Sequence, residues 1–388
     1  MALTRGRGVI GGVLAAVGAL LATAFPAAGE TPAEKAGALL DGVIKAGDPG
    51  VAVLVAQDGK ILFEKGYGLA DREHGLSVSP QTIFRIGSIT KQFTASAILK
   101  LQEEGKLSVN DPLSKYLPAF PRGKEVTLRE LLNHTSGIHD LAPGDEPDLL
   151  SRLTKPTTTD AVIGEIKKFP YDFDPGTQWR YDNSGYVLLG SIVEKVSGKS
   201  YGDFLRDTFF RQLGMTNTGV YRAHLELPHE AVGYSLGTKD FERPVEIDPS
   251  WIGGDGALYS TVEDLYRWNE GIFGERVLDA ASLKAAFTAV ATNASQINTG
   301  NGYGFGWFVG SYRGLRDISH GGAVQGFTSM VVRLPDEKFT VIVLANANGR
   351  PDASPERLAY QLVDIYLANN LAPAAAVDTG GSPTSKKP

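Results

Sequence analysis

The chain has 388 residues, of which 42% are hydrophobic and 21% are charged, and its formal net charge at pH 7 is -6. This length allows one large domain or two moderate ones, and the acidic balance argues against a nucleic-acid-binding surface. The absence of cysteine excludes disulfides, a thiol nucleophile and a cysteine-linked lipid anchor. We therefore expect a small molecule, a peptide or an ester as the substrate.

Residues 1–29 predict a signal peptide. Arg5 and Arg7 form a short basic region, the run Val9–Ala24 is apolar, and small residues follow at positions 27–29. An uncleaved membrane anchor is the alternative, although the apolar run is short for a bilayer span. We expect a periplasmic or secreted protein with no membrane insertion after signal removal.

The segment after the signal peptide predicts a short helix followed by a hairpin. Helical patterning covers Ala33–Ala46. Two strand-like runs within Val51–Gly68 flank Asp58-Gly59, a dipeptide that favours a two-residue hairpin turn. The next stretch, FRIGSITKQFTASAIL (Phe84–Leu99), predicts a helix that begins near Ser88.

Helical patterns dominate from about Leu101 to Asn298, with loops rich in proline and glycine between them. The segment Ser184–Gly198 is amphipathic and ends on glycine, and STVED at 260–264 is typical of a capping box that opens another helix. No internal repeat is visible in this region or elsewhere in the sequence.

Strand patterns return after Asn298. The runs are YGFGWFVG, FTSMVVRL and FTVIVLAN, and PDEK joins the last two as a tight turn. A helix over Ser354–Leu371 closes the fold, and residues 372–388 have a composition typical of disorder.

These patterns predict an α+β fold with one antiparallel β-sheet, built from both ends of the chain and flanked by helices. We expect residues 30–371 to form one domain, with a sheet part at about 48–90 and 299–371 and an all-helical insertion at about 91–298. A catalytic cleft is expected between the two parts, where ligand sites commonly lie.

Lys91 falls on the apolar face of its predicted helix, one turn after Ser88. A lysine that snorkels to the solvent is the structural alternative. A serine hydroxyl, however, needs a base to become nucleophilic, and a lysine of depressed pKa can serve. Because about one Ser-x-x-Lys match is expected by chance in this composition, the motif needs companions.

Two further motifs occur once each in the sequence. PGTQWRYDNSGY contains Tyr181 and Asn183 just before a helix, and ISHGGAVQGF contains His320 at a predicted strand start. Each of these residues also has a purely structural interpretation. Tyr181 could be a buried core residue, Asn183 a helix cap and His320 a histidine at the edge of a sheet. Three unique motifs in this order favour a shared catalytic site.

The motifs resemble those of the penicillin-recognising serine hydrolases, in the branch that contains class C β-lactamases, esterases, D-aminopeptidases and D-alanyl-D-alanine carboxypeptidases. The resemblance covers about Gly50 to Leu371, and it rests on RIGSITKQFTA, LLNHTSGI, PGTQWRYDNSGYVLLGSIVEKVSGKSY, GALYSTVEDLYRW and SHGGAVQGF. It implies a β-lactamase/transpeptidase-like fold. It is specific for the superfamily and poorly specific for the substrate.

The resemblance also implies residue roles. Ser88 matches the nucleophile, Lys91 the lysine that assists its deprotonation, and Tyr181 the tyrosine that shuttles protons. Asn183 matches an amide that orients the lysine and binds the acyl side of the substrate.

The third motif supplies the other substrate-binding residues that the resemblance implies, His320, Gly322 and Ala323. The backbone N–H groups of Ser88 and Ala323 match the oxyanion hole. In class C β-lactamases this motif begins with a lysine, whereas His320 is largely neutral at pH 7. The departure argues against efficient β-lactam hydrolysis and favours esters, amides and D-residue peptides.

The sequence supports two hypotheses of function. The first is a serine hydrolase that forms an acyl-enzyme on Ser88 and cleaves short esters, amides or D-residue peptides. The alternative is an acyl-trapping penicillin-binding sensor or a catalytically slow binding protein. No cofactor or metal is expected, because His224 and His229 lack the usual zinc spacing, and His134 is expected to fix a loop.

Overall fold

A computed structural model describes residues 30–141, 145–146, 148–292 and 302–373. The predicted signal peptide and all but the first two residues of the predicted disordered tail lie outside the described residues. The chain divides into two compact units, Met1–Thr31 and Pro32–Pro388, and every described helix and strand lies in the second. None of the described helices is long and apolar enough to cross a membrane.

In the described residues the main sheet has eight strands. They are β1 (Val51–Gln57), β2 (Lys60–Tyr67), β10 (Val290–Ala291), β11 (Gly302–Tyr303), β12 (Phe308–Tyr312), β13 (Leu315–Val324), β14 (Phe327–Leu334) and β15 (Phe339–Ala345). The strand order is β10-β11-β12-β13-β14-β15-β1-β2, and each neighbouring pair is antiparallel. The two ends of the chain meet where β1 pairs with β15, and the predicted α+β class is confirmed.

Two tight turns have the conformations that their residues favour. Asp58 and Gly59 connect β1 to β2 with φ of 49° and 76°, which is the left-handed geometry of a type I′ hairpin turn. Between β14 and β15, the Lys338 amide donates to the carbonyl of Pro335 at 3.1 Å. The hairpin and the tight turn predicted from the sequence are both present.

Helices cover both faces of this sheet. They are α1 (Pro32–Val43), α2 (Thr90–Glu103), α3 (Leu128–Leu132), α4 (Leu149–Leu153), α5 (Thr159–Ile166), α6 (Asn183–Ser197), α7 (Tyr201–Leu205), α8 (Arg211–Leu213), α9 (Val262–Phe273), α10 (Ala280–Ala286) and α11 (Pro355–Tyr366). Residues 206–210 form one π-helical turn between α7 and α8.

Side chains alternate along β1 between two hydrophobic layers. Val53 and Val55 pack with α1 and α11, whereas Ala52 and Leu54 belong to the larger core that contains α2, α6 and α9. Strands of a sheet that is buried on both faces have continuous apolar sequences, which explains the sequence VAVLVA in β1.

Short strands form three small sheets beside the main one. They are β3 (Leu69–Asp71), β4 (Leu76–Ser77), β5 (Phe84–Arg85), β6 (Gly219–Val220), β7 (Tyr234–Leu236), β8 (Phe241–Glu242), β9 (Leu258–Ser260) and β16 (Ala347–Asn348). Their orders are β3-β4, β5-β9-β6 and β16-β7-β8. In the sheet of β5, β9 and β6, β5 leads directly into the segment that contains Ser88.

Several details differ from the sequence expectations. The segment predicted as an all-helical insertion, about 91–298, also contains the short strands β6, β7, β8, β9 and β10, and β10 belongs to the main sheet. The first helix ends at Val43 instead of Ala46. Ser88 lies in a 3₁₀ turn (Gly87–Ile89), and α2 begins only at Thr90. His320 lies within β13 and does not begin a strand, since residues 315–319, which precede it, already pair with β12. The closing helix ends at Tyr366, five residues before the predicted Leu371.

Candidate active site

Ser88 lies in a 3₁₀ turn that packs directly against β13. Gly87 has a φ of 52°, and a Cβ atom at this position would lie 2.7 Å from the backbone nitrogen of Ala323. The position therefore requires glycine, both for its left-handed backbone and for the close approach of the neighbouring strand. The turn leaves the Ser88 side chain half-buried at the wall of a cavity.

Lys91 lies one turn after Ser88 and is completely buried. Its Nζ donates to Ser88 Oγ at 3.0 Å, to Asn183 Oδ1 at 2.8 Å and to the backbone carbonyl of Asp255 at 2.9 Å. All three donors of an ammonium group are thus used. The lysine does not snorkel to the solvent, and its polar contacts hold it against the Ser88 hydroxyl.

Tyr181 stands over Lys91, in the segment that precedes α6. The centre of its ring lies 4.8 Å from Lys91 Nζ and 4.4 Å from the centre of the His134 ring. The structure therefore brings Ser88, Lys91, Tyr181 and Asn183 into one cluster, although Asn183 lies 92 residues after Lys91 in the sequence.

Asn183 is the first residue of α6, and Asp140 holds it in place. The Asp140 carboxylate accepts from the Asn183 backbone N–H at 2.8 Å, from Asn183 Nδ2 at 3.2 Å and from the Ser184 N–H at 3.3 Å. A carboxylate is favourable at a helix N-terminus. Because the amide nitrogen is taken by Asp140, the amide oxygen of Asn183 faces Lys91.

Sequence reasoning missed Asp140. Its burial raises the pKa of the carboxyl group, and the hydrogen bond from the Asn183 N–H and the charge of Lys91 oppose this increase. The only local signal is an aspartate after the loop that contains LLNHTSGI, and nothing in that loop indicates a partner 43 residues away.

His320 is buried, with 1% of its surface exposed. Its Nδ1 lies 2.5 Å from the Gly321 carbonyl and its Nε2 lies 3.0 Å from the Tyr303 hydroxyl. Because a carbonyl only accepts, Nδ1 has the proton and Nε2 accepts from Tyr303. Burial, assisted by the charge of Lys91, lowers the pKa of His320 to about 3, so the ring is neutral at physiological pH.

Gly322 and Ala323 lie on the part of β13 that faces the 3₁₀ turn at Ser88. A Cβ atom on Gly322 would lie 2.0 Å from the carbonyl oxygen of Ile86 and 3.0 Å from the backbone nitrogen of Ser88. Ser329 Oγ also donates to the Ile86 carbonyl, at 2.9 Å. These contacts bring the exposed Ala323 next to Ser88, where two backbone N–H groups can bind one oxyanion.

Two further residues support this cluster. His134 Nδ1 accepts from the Asp182 N–H at 3.2 Å, and burial lowers its pKa well below the usual value, so its ring is neutral. Asp255, for which the sequence indicates no partner, uses its backbone carbonyl to accept from Lys91, while its carboxylate accepts from the Gly253 N–H at 2.8 Å. Burial raises the pKa of the Asp255 carboxyl group.

A cavity of about 230 Å³ opens beside Ser88. Asp140, Asn183 and Asp255 form its polar side. Most of the other lining residues are apolar, among them Leu149, Leu153, Val162, Ile166, Val187, Ile247, Trp251 and Ile252. A pocket with a few polar groups beside the nucleophile and an apolar remainder suits a small acyl group with an apolar side chain.

Comparison with known proteins places this arrangement in a family. The Beta-lactamase family model matches residues 36–364. The chain therefore belongs to the beta-lactamase family, within the superfamily of penicillin-recognising serine hydrolases.

Individual relatives agree with this assignment. The chain is 31% identical over 354 residues to "Penicillin-binding protein 4*" of Bacillus subtilis. The match covers 86% of this chain and 75% of that relative. It is 33% identical over 302 residues to the "Putative penicillin-binding protein PbpX" of the same organism. The match covers 77% of this chain and 71% of that relative.

Two solved structures share the fold. The octameric penicillin-binding protein homologue from Pyrococcus abyssi has a TM-score of 0.72 and 30% identity, over 84% of this chain and 74% of that chain. The D-amino acid amidase from Ochrobactrum anthropi SV3 has a TM-score of 0.73 and 25% identity, over 86% of this chain and 99% of that chain.

Proposed function

We propose that this protein is a serine hydrolase that forms an acyl-enzyme on Ser88 and cleaves short esters, amides or D-residue peptide bonds. The single observation that carries the proposal is the 3.0 Å hydrogen bond between Ser88 Oγ and the fully buried Lys91 Nζ. A buried lysine held against a serine hydroxyl is the arrangement that nucleophilic catalysis requires.

In the first half of the reaction Lys91 acts as the neutral amine, and its Nζ accepts the hydroxyl proton while Ser88 Oγ attacks the scissile carbonyl. Tyr181 then relays this proton, giving its own hydroxyl proton to the leaving group and regaining one from Lys91. The carbonyl oxygen becomes an oxyanion and binds the N–H groups of Ser88 and Ala323. The bond to the leaving group then breaks, and the leaving oxygen or nitrogen takes the proton from Tyr181.

In the second half, water replaces the leaving group. Tyr181 and Lys91 accept a proton from the water, whose oxygen bonds to the acyl carbon and restores the tetrahedral intermediate. Collapse of this intermediate returns the proton to Ser88 and releases the acid. Asn183 binds the acyl side and holds Lys91 in place during both halves.

The neutral His320 supports the preference for esters and amides. A substrate carboxylate next to the third motif gains no charge pair from a histidine whose pKa is about 3 and whose Nε2 already accepts from Tyr303. We infer that β-lactam hydrolysis is weak or absent. A relative named as a D-amino acid amidase supports amides of D-amino acids among the substrates.

The test is steady-state hydrolysis of a short-chain p-nitrophenyl ester by the protein and its Ser88→Ala variant. The matched control is Ser96→Ala, in the helix α2 that follows Ser88, which removes a buried hydroxyl that has no hydrogen-bond partner among the described residues. We expect turnover in the parent and the control, and none in Ser88→Ala. Equal rates in all three proteins would show that Ser88 is not the nucleophile.

The second candidate is an acyl-trapping sensor, which relatives named as penicillin-binding proteins favour. A sensor releases one product per enzyme and then stops, and its intact mass increases by the acyl group. Continued turnover with an unmodified mass supports the hydrolase. The apolar segment Val9–Ala24 supports a periplasmic or secreted location for either function.

A further inference from the structure

The segment that contains Tyr181 lies along the loop that begins at His134. The backbone N–H of Gly176 donates to the Thr135 carbonyl at 2.8 Å, and the N–H of Arg180 donates to the His134 carbonyl at 3.0 Å. These two segments are more than thirty residues apart in the sequence. The place of Tyr181 in the site therefore depends on the loop at His134.

His134 makes three contacts around Tyr181. Its backbone carbonyl accepts from the N–H of Arg180, and its Nδ1 accepts from the N–H of Asp182 at 3.2 Å. The centre of its ring lies 4.4 Å from the centre of the Tyr181 ring, with 38° between the two planes. One residue thus holds the amide before Tyr181, the amide after it and the ring itself.

The Tyr181 hydroxyl is not fixed by a hydrogen bond of its own to any described residue. In the proposed reaction this hydroxyl must reach the leaving group, and later the water. Its direction therefore depends on the backbone and on the packing of the ring. The ring of His134, at 4.4 Å, is closer to the phenol than those of Tyr303 and His320, both at 6.2 Å.

A histidine is an unfavourable choice if position 134 serves only to fix a loop. Its φ is 63°, in the left-handed region that glycine and asparagine adopt more readily. Only 1% of its surface is exposed, and its Nε2 has no hydrogen-bond partner among the described residues. Asparagine would also place an acceptor near the N–H of Asp182. What the histidine adds is a flat ring against Tyr181, and strain of this kind is typical of functional sites.

We propose that His134 is the positioning residue for Tyr181, which it holds by both neighbouring amides and by the face of the phenol ring. This inference rests on the proposed hydrolase function. It predicts that His134 contributes to the reaction through the Tyr181 hydroxyl and not by a separate route.

A double-mutant cycle tests this dependence. The proteins are the parent, His134→Ala, Tyr181→Phe and the double variant, and the measured quantity is kcat for p-nitrophenyl butyrate. We expect each single substitution to lower kcat by about 10- to 100-fold, because a misplaced proton relay loses about as much as a missing one. Once the hydroxyl is absent, the change at His134 should cost less than about twofold more. Losses that multiply would overturn the proposal.

The leaving group gives a second readout that a general loss of structure would not move. Tyr181 donates its proton to the leaving oxygen, and p-nitrophenolate needs this proton less than phenolate does, because it is the weaker base. We expect His134→Ala to lower kcat/KM for phenyl butyrate by about tenfold more than for p-nitrophenyl butyrate. Equal losses on the two esters would contradict the positioning of Tyr181.

Two further variants control for the backbone. His224→Ala makes the same substitution at an exposed histidine with a φ of 62°, and it should retain the parental kcat. His134→Asn keeps an acceptor and a residue that tolerates the left-handed conformation, so it should lose less than His134→Ala. It takes the place of His134→Ala in the cycle if that variant does not fold. A parental kcat in His134→Asn would overturn the role of the ring.

These results are distinct from failure of the proposed function. In that case the parent protein hydrolyses neither ester and does not differ from Ser88→Ala, and the role of His134 is overturned with it. An active parent whose Tyr181→Phe variant has the same kcat would instead leave the hydrolase in place and overturn the positioning role alone.

Discussion

The carboxylate of Asp140 holds Asn183 through both its backbone N–H, at 2.8 Å, and its side-chain amide nitrogen, at 3.2 Å. The orientation of the Asn183 amide is therefore determined by Asp140. Because the amide oxygen accepts from Lys91 at 2.8 Å, Asp140 positions the lysine indirectly. Asp140 is a positioning residue for the proposed reaction.

Asp140→Ala is expected to lower kcat for a p-nitrophenyl ester by about 10- to 100-fold, because Asn183 then no longer holds Lys91 firmly in place. The loss is smaller than the usual contribution of a general base, since Lys91 itself remains. Asp140→Asn keeps an oxygen that can accept from the N–H groups of Asn183 and Ser184, so it should recover much of the loss. The control is Asp174→Ala, at a carboxylate that is 75% exposed and paired with Arg122. An equal loss in Asp140→Ala and Asp140→Asn would contradict the positioning role.

Lys91→Met keeps an unbranched side chain of similar volume and removes the amine. We expect hydrolysis to fall by about 10²–10⁴-fold, because the Ser88 hydroxyl loses the partner that accepts its proton. Lys100→Met is the matched control on the same helix, since Lys100 pairs with Glu103 at 3.0 Å away from the site. Steady-state ester kinetics on both variants make the comparison, and similar activities would rule out the role of Lys91.

Adjacent glycines of β13 should respond differently to alanine. A Cβ atom on Gly322 would lie 2.0 Å from the Ile86 carbonyl and would push β13 away from the nucleophile turn, whereas on Gly321 the nearest atom lies at 3.4 Å. We expect Gly322→Ala to lose at least about 100-fold in kcat, as removal of an oxyanion-hole donor does. Gly321→Ala should remain close to the parent. Comparable losses in both variants would exclude this account of the strand.

Asp317 should make stability depend on pH. Burial raises the pKa of its carboxyl group from 3.8 to about 7, although the Tyr360 hydroxyl donates to it at 2.6 Å. The protonated form is thus favoured in the folded protein, and ionisation costs stability increasingly as the pH rises from about 4 to about 7. Above that range the cost is constant.

Asp317→Asn removes this cost and keeps an acceptor for Tyr360. We expect it to increase the free energy of unfolding by about 1–3 kcal/mol at pH 8 and by much less at pH 4. Urea denaturation of both proteins at several pH values measures the difference. A difference that does not change between pH 4 and pH 8 would mean that folding does not raise the pKa of Asp317.

Local patterns were sufficient for much of the fold. Asp58-Gly59 predicted a hairpin because its left-handed turn conformation is a property of those two residues. The alternation of Val53 and Val55 against Ala52 and Leu54, in contrast, is invisible in an apolar run, because both faces of the sheet are covered.

The site was predictable where its chemistry lies in short motifs, and less so where it depends on distant contacts. Ser88 and Lys91 are one turn apart, so their proximity follows from helical geometry. The strand was predicted to start at His320, whereas β13 already begins at Leu315. Gly322 is required because the Ile86 carbonyl approaches from another part of the chain.

The packing of β13 and β14 against the turn at Ser88 brings together residues that are synthesised at very different times. Ser88 and Lys91 are synthesised early, but the strand pair that packs on their turn comes much later, and Ser329 follows its partner Ile86 by 243 residues. A growing chain thus contains Ser88 for most of its synthesis without the N–H group of Ala323. If Ser88 acts as proposed, its oxyanion-binding partner is supplied only when translation is nearly complete, and an unfinished chain lacks it.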